Sequence, residues 1–301
     1  MRILVFGKTG QVARELSRVR WALGCHVQQL AHSEADLLDT AAVRNAILGI
    51  RPEIVINAAG YTAVDRAEVD HQAAEMVNRD APAAMAVACR HLGAKLIHLS
   101  TDYVFDGFKA GPYLERDPIG PLSVYGCTKA DGEIAIREAL PQHVILRTSW
   151  VFASHGANFL LTMLRLANER PAQLRVVADQ KGAPTAAYDI ALAIASIVRQ
   201  IKDGNGAWGT FHFTGSEPTT WHNFARAIFG LSQRDPVLIP ITSAEYAAAA
   251  RRPSNSVLDC EKIARDYGIG QPSWRTALEH VLRELGEFAE PAQSAVLSTC
   301  R

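Results

Sequence analysis

Short apolar runs alternate with longer stretches in which apolar residues recur every three or four positions, and the alternation begins at the second residue. Runs at 2–6, 26–30, 53–57, 94–99 and 143–148 predict strands. Helical spacing between them predicts helices over 11–23, 40–48, 71–91 and 122–139. Strand followed by helix, repeated, is the order in which a parallel sheet becomes covered on both faces. The third helix carries Ala73, Ala74, Ala81, Ala83, Ala84, Ala86 and Ala88, which suit close packing on such a sheet. After residue 150 the rhythm changes to helix 158–169, strand 174–178, helix 188–199, strand 210–214 and helix 220–229, with a closing helix over 274–288. The chain therefore reads as α/β, a doubly wound parallel sheet over 1–150 with late strands from 174–214. A smaller C-terminal α/β domain is expected over 151–289 and a frayed tail at 290–301.

Composition narrows the classes. With 301 residues and 48% hydrophobic content, the chain can bury a substantial core. Lys plus Arg and Asp plus Glu number 31 each, so no global positive field draws nucleic acid or an anionic membrane surface. Cys25, Cys89, Cys127, Cys260 and Cys300 are scattered without metal-ligand spacing, which fits reduced thiols. No apolar stretch approaches the roughly 18 residues of a membrane span, and no signal-peptide layout precedes the first strand. The expected location is cytoplasmic.

Chemistry enters at the strand ends. Gly7-Lys8-Thr9-Gly10-Gln11-Val12-Ala13 follows the first strand and opens the first helix, where a Rossmann-type dinucleotide fingerprint belongs. Gly7 permits a tight turn, Gly10 lets a diphosphate approach the backbone, and Ala13 lets helix and strand pack. The helix N-terminus offers free N–H groups to phosphate. The second strand ends His26-Val27-Gln28-Gln29-Leu30-Ala31-His32 without the acid that would reject a 2′-phosphate, so NADPH is admitted beside NADH. Asp36 and Leu37 can reach the adenine end. Ala58, Ala59 and Gly60 are small where a cofactor would cross the sheet edge.

Ser100-Thr101-Asp102 follows the fourth strand, and Tyr125 stands four residues before Lys129 on the next helix, on one face of it. These ends converge on the crevice of a doubly wound sheet. A hydroxyl at Thr101 polarises a carbonyl, a phenol at Tyr125 protonates the alkoxide, and an ammonium at Lys129 lowers the phenol pKa and holds a nicotinamide ribose. Thr101 as a plain turn cap is the structural alternative.

In order along the chain, Phe6-Gly7-Lys8-Thr9-Gly10-Gln11-Val12, Asn57-Ala58-Ala59, Thr62-Ala63-Val64-Asp65, Ser100-Thr101-Asp102-Tyr103-Val104-Phe105, Pro121-Leu122-Ser123-Val124-Tyr125-Gly126, Arg147-Thr148-Ser149-Trp150-Val151-Phe152, Gly182-Ala183-Pro184-Thr185 and Arg251-Arg252-Pro253-Ser254-Asn255-Ser256 resemble the dTDP-4-dehydrorhamnose reductase family of the extended short-chain dehydrogenase/reductases. The resemblance implies reduction of dTDP-6-deoxy-L-lyxo-4-hexulose to dTDP-L-rhamnose, with the C-terminal domain binding substrate. It implies Gly10, Gln11, Val12, Asp36, Leu37, Gly60, Tyr61 and Thr62 at the cofactor, and Thr101, Asp102 and Trp150 at the sugar. An indole at Trp150 suits stacking on a sugar face, and Arg251 and Arg252 suit bidentate binding of a diphosphate.

Some members of the family form a homodimer around a magnesium ion, held by a glutamate of the first helix and an acid after the Ala-Pro-Thr segment. Glu15 matches the first, and Tyr188 stands where the second is expected, with Asp189 beside it. The metal-linked dimer is therefore not carried over whole. Two rivals remain: a nucleotide-sugar epimerase or dehydratase with the same Tyr-Lys pair, and a non-catalytic regulatory subunit that retains the nucleotide-binding fold. The first lacks support because Thr101-Asp102 is followed by Tyr103 rather than glutamate; the second has no use for the Thr101, Tyr125 and Lys129 set.

Overall fold

The computed structural model describes residues 1–169, 173–232 and 234–289; the tail at 290–301 lies outside the described residues. Strands β1 (Arg2–Phe6), β2 (His26–Leu30), β3 (Ile54–Asn57), β4 (Lys95–Thr101) and β5 (His143–Thr148) fall within two residues of the predicted runs. Between them lie α1 (Gln11–Arg18), α2 (Thr40–Ile50), α3 (Val64–Ala67), α4 (His71–Glu75), α5 (Ala81–Leu92) and α6 (Val124–Ala139). The strands pair in parallel in the order β2-β1-β3-β4-β5. Because helices cover both faces, β3 and β5 are buried at every position, which is why their centres, Ile54-Val55-Ile56 and Val144-Ile145-Leu146, are unbroken apolar runs.

The second half contributes β6 (Val151–Phe152), α7 (Phe159–Glu169), β7 (Gln173–Val177), β8 (Lys181–Gly182), β9 (Thr185–Ala186) and α8 (Ala187–Lys202). It continues with β10 (Gly209–His212), β11 (Thr219–Thr220), α9 (Trp221–Leu231), β12 (Val237–Ile241), α10 (Ser243–Tyr246), α11 (Glu261–Tyr267) and α12 (Trp274–Glu284). Within 174–214, expected to supply late strands, β10 joins the sheet beside β5, whereas β7 pairs with β12 in a separate two-stranded ribbon.

Side chains of β1 alternate between two cores. Ile3 and Val5 pack with Leu16 of α1 and Ile190 and Ile194 of α8, while Leu4 and Phe6 pack with Val43 of α2, Met85 of α5 and Ile136 of α6. A third core, including Phe152, Leu160, Leu164, Phe224, Trp274 and Leu278, belongs to the C-terminal elements.

The helix expected over 71–91 is present from His71 to Leu92, but it is not regular throughout. It is α4, a π turn over Met76–Asp80 and then α5, with Pro82 in the first turn of α5. Proline has no N–H to donate back along a helix, so the regular ladder cannot run through it. The helix predicted from 122 starts at Val124 because the Ser123 hydroxyl caps it by accepting from the Gly126 N–H at 3.2 Å.

Strand order reverses around β1, since β2 lies on one side of it and β3 on the other. The crevice for a ligand in such a sheet lies outside the carboxyl ends at that reversal. Gly7 and Ala58 are the residues found there.

Candidate active site

At the carboxyl ends of β1, β3 and β4 a cleft of about 960 Å³ opens. Its walls include Gly7, Gly10, Gln11, Val12, Asp36, Leu37, Ala58, Ala59, Gly60, Tyr61, Thr62, Thr101, Asp102, Tyr125, Lys129 and Trp150. Three candidates lie elsewhere: Glu15, Arg251 and Arg252.

The floor near β1 is shaped by Gly7. Its φ of +112° is one that side-chain-bearing residues rarely adopt, and an added Cβ would sit 3.3 Å from both the Ala13 Cβ and the Ala58 carbonyl. Gly10 caps α1 with no side-chain hydrogen bond, and no acid stands in the first turn, so its leading N–H groups are available to an anion. The Gln11 side chain also ties α1 to the C-terminal half, donating to the carbonyl of Val151 at 3.4 Å and accepting from Asn158 at 3.0 Å. The Asp36 carboxylate accepts from the Leu38 N–H at 2.9 Å and pairs with His32 at 3.3 Å.

Sequence reasoning missed Asn78. Fully buried in the π turn, it accepts from the Tyr61 N–H at 2.9 Å and donates to the Tyr61 carbonyl at 3.1 Å, clamping the Gly60-Tyr61 loop. It also donates to the Thr128 hydroxyl at 3.2 Å, linking that loop to α6. A polar residue at an apolar-spaced helical position was the only signal, and it marks a turn of the kind found at functional sites.

The geometry of Thr101 is compatible with both readings weighed for it. Its Oγ1 accepts from the Tyr103 N–H at 3.2 Å as a cap, donates to Asp102 Oδ1 at 3.1 Å, and faces the cleft. Asp102 is 2% exposed and its Oδ2 has no partner. Burial pushes its carboxyl up to about 7, against the influence of the nearby Ser256 and Thr101 hydroxyls. Burial likewise pushes the Tyr125 phenol up to about 12; Thr101 opposes this and the Asp102 charge adds to it.

The expected acidification of Tyr125 by Lys129 is overturned here. The Lys129 Nζ turns from the phenol to the Leu99 carbonyl at 2.6 Å and to His98 Nε2 at 3.2 Å. Burial lowers its own pKa to about 8, with Glu133 opposing. Glu133 and Arg147 form the platform beneath. Arg147 is 2% exposed and grips the fully buried Glu133 with Nε at 2.9 Å and Nη2 at 2.7 Å, and Ser100 and Arg137 donate to the same carboxylate.

On the far side, Trp150 has a φ of +47° and lies stacked on Trp221, with ring centroids 3.6 Å apart and planes 9° apart. An added Cβ on Gly182 would come within 2.5 Å of the same indole. One face of the indole is therefore covered, and the aromatic platform in the cleft is shared with Trp221, which itself donates to Gln180 at 3.2 Å.

Arg252 is not among the residues lining the cleft, though it acts on Tyr103, which is. It grips Asp65 at 3.0 and 2.7 Å, and Arg251 is exposed. Glu15 is buried against His155 and Arg18, the latter at 3.3 Å, and Arg18 continues to Glu284 at 2.8 Å. These are arginine and histidine partners rather than a carboxylate cage, and among the described residues no group of three or more His, Cys, Asp or Glu is arranged to hold a metal. The magnesium expectation at Glu15 gains no cage from this chain.

A family model described as the RmlD substrate binding domain matches residues 1–287. A dTDP-4-dehydrorhamnose reductase of Burkholderia thailandensis is 43% identical over 297 residues, covering 95% of this chain and 99% of the relative. The chain belongs to the dTDP-4-dehydrorhamnose reductase family. An Escherichia coli member is 40% identical over 294 residues, 95% of this chain and 98% of the relative. The crystal structure of the Bacillus anthracis reductase in complex with NADP superposes with a TM-score of 0.88 at 33% identity, over 94% of this chain and 99% of that one. Among the described residues of this family member, no helix is long and apolar enough to cross a membrane.

Proposed function

We propose that this chain reduces the 4-keto group of dTDP-4-dehydro-β-L-rhamnose to dTDP-L-rhamnose, using NADPH or NADH, the last step of dTDP-rhamnose synthesis. The observation that carries this reading is the convergence of the glycine loop, Thr101, Tyr125 and Lys129 on one cleft. Family membership selects reduction over epimerisation or dehydration and over a purely regulatory subunit.

The free N–H groups at the start of α1, the bare Cα atoms of Gly7 and Gly10, and the cleft volume fit a dinucleotide. When bound, it supplies the hydride. The residues do the rest. α1 and the Ala58 to Thr62 loop hold the dinucleotide, and Lys129 meets its ribose. Tyr125, kept as a phenol by burial, gives its proton to the alkoxide oxygen as that charge develops. Thr101 hydrogen-bonds the same oxygen. Asp102, Trp150 and the adjoining Trp221 frame the sugar.

The test is to mix purified protein with the ketosugar and either dinucleotide and to identify the sugar formed. Oxidation of the dinucleotide with formation of dTDP-L-rhamnose is expected. A ketosugar left unreduced under both dinucleotides contradicts the reading.

A further inference from the structure

Beneath the cleft wall, a chain of hydrogen bonds has a polarity that constrains Lys129. Asn57 is fully buried, and its Oδ1 accepts from the Ala59 N–H at 3.1 Å, so the other end of its amide is Nδ2. That Nδ2 lies 3.0 Å from His98 Nδ1 and can only donate, which makes Nδ1 the acceptor of the ring. A neutral imidazole then carries its single hydrogen on Nε2. His98 Nε2 is 3.2 Å from Lys129 Nζ, so the lysine nitrogen must accept from it. An ammonium has three donors and no lone pair; an amine has one lone pair. As an amine, Nζ accepts from His98 and still donates to the Leu99 carbonyl at 2.6 Å, and every group in the chain is satisfied. As an ammonium, it would meet the Nε2 hydrogen head-on inside a site where His98 is 0% exposed and Lys129 5%.

We propose that His98 and Asn57 are positioning residues that favour the uncharged amine form of Lys129 in the free protein, and that arrival of the dinucleotide favours the ammonium, drawing a proton from solvent onto Lys129 Nζ wherever the amine is populated. The inference rests on the reading of Lys129 as the residue that meets the nicotinamide ribose. The proton comes from water or buffer, adds to the Nζ lone pair, and nothing is oxidised. Charging Nζ obliges His98 to shift its hydrogen to Nδ1, which turns the Asn57 contact and so reaches the Ala59 N–H on the cleft rim. Lysine charge, imidazole tautomer and the cofactor loop are thereby coupled through three side chains.

The other titratable groups around Lys129 are Tyr125 one turn back on α6, Glu133 one turn on, and His98 from β4; Arg147 of β5 is committed to Glu133. Burial holds His98 well below its ordinary value, so it does not compete for the proton. Burial sets Lys129 near 8, which places the transition just above neutrality.

Calorimetric titration of the whole protein with NADPH, in two buffers of different ionisation enthalpy, counts the protons taken up. Uptake should approach one proton at about pH 9 and be small at about pH 7, and Kd should rise about tenfold per pH unit above 8. Lys129→Met should bind NADPH without uptake. His98→Gln, whose amide can turn to accept from an ammonium, should lose both the uptake and the alkaline weakening, which a merely structural role for His98 does not predict. If His98→Gln fails to fold, wild type against Lys129→Met still decides. NADPH binding without uptake in wild type, or full uptake retained in either variant, overturns the inference and leaves the reductase reading intact; failure to bind NADPH at all overturns that reading instead.

Discussion

Glu133 and Asp102 are both buried beside the carboxyl end of β4, yet their surroundings push them in opposite directions. Burial alone would raise Glu133, but hydrogen bonds and charge from Arg147, with Ser100 and Arg137, outweigh it and hold the carboxyl below its ordinary value. Asp102 has hydroxyl partners and no cation, one oxygen is unpartnered, and burial prevails. The paired carboxylate joins α6 to β4 and β5, and so fixes the elements that carry Thr101, Tyr125 and Lys129. The unpaired one is held at a cost to stability on the cleft wall, where a substrate hydroxyl can satisfy it. Support and chemistry thus sit side by side, distinguished by whether the protein has completed the hydrogen bonding.

The comparison can be broken most directly at Glu133. Glu133→Ala leaves Arg147 buried and uncompensated and should cost about 3–5 kcal/mol of stability in urea unfolding; a loss below about 1 kcal/mol would show that the pair is not the platform. Asp102→Asn should act in the other direction. Because its folded-state pKa is raised, Asp102 binds its proton more tightly when folded, and stability falls as pH rises from its ordinary value of 3.8 to about 7. The variant should gain roughly 1–3 kcal/mol at about pH 8 and little at about pH 4, measured by unfolding at both. An equal shift at both pH values contradicts an ionised, unpaired Asp102. The smallest effect belongs to Asp65 and Arg252, a pair whose carboxylate side chain is 50% exposed. Arg252→Gln should cost about 1 kcal/mol or less and leave KM for the nucleotide sugar unchanged; a large rise in KM would return Arg252 to the diphosphate.

What the chain discloses in advance follows from where each signal is local. The inner strands β1, β3, β4 and β5 were legible because burial on both faces favours apolar runs, and edge strand β2 from its place in the alternation of strand and helix. Gly7 was legible because backbone conformation and close approach both demand glycine there. β7 was legible as a strand but not in its partner, since apolar residues at alternate positions do not say which sheet receives them. Tyr125 and Lys129 share a helix face as their spacing requires, yet a long lysine stem lets Nζ follow the Leu99 carbonyl and His98 instead of the phenol. Trp150 was found and Trp221 was not, because their stacking joins segments that only the tertiary fold brings together. Arg252 reads as an anion binder until Asp65, from another of the matching segments, is seen to occupy it.

The most direct test of the whole account is Tyr125→Phe, read as kcat and as NADPH Kd in one preparation. Loss of the proton donor should lower kcat by about 10²–10⁴-fold while the dinucleotide, held by α1 and the Ala58 to Thr62 loop, binds as before. A variant that retains near wild-type kcat contradicts the assignment of Tyr125 as the acid, and with it the convergence on which the proposed reduction stands.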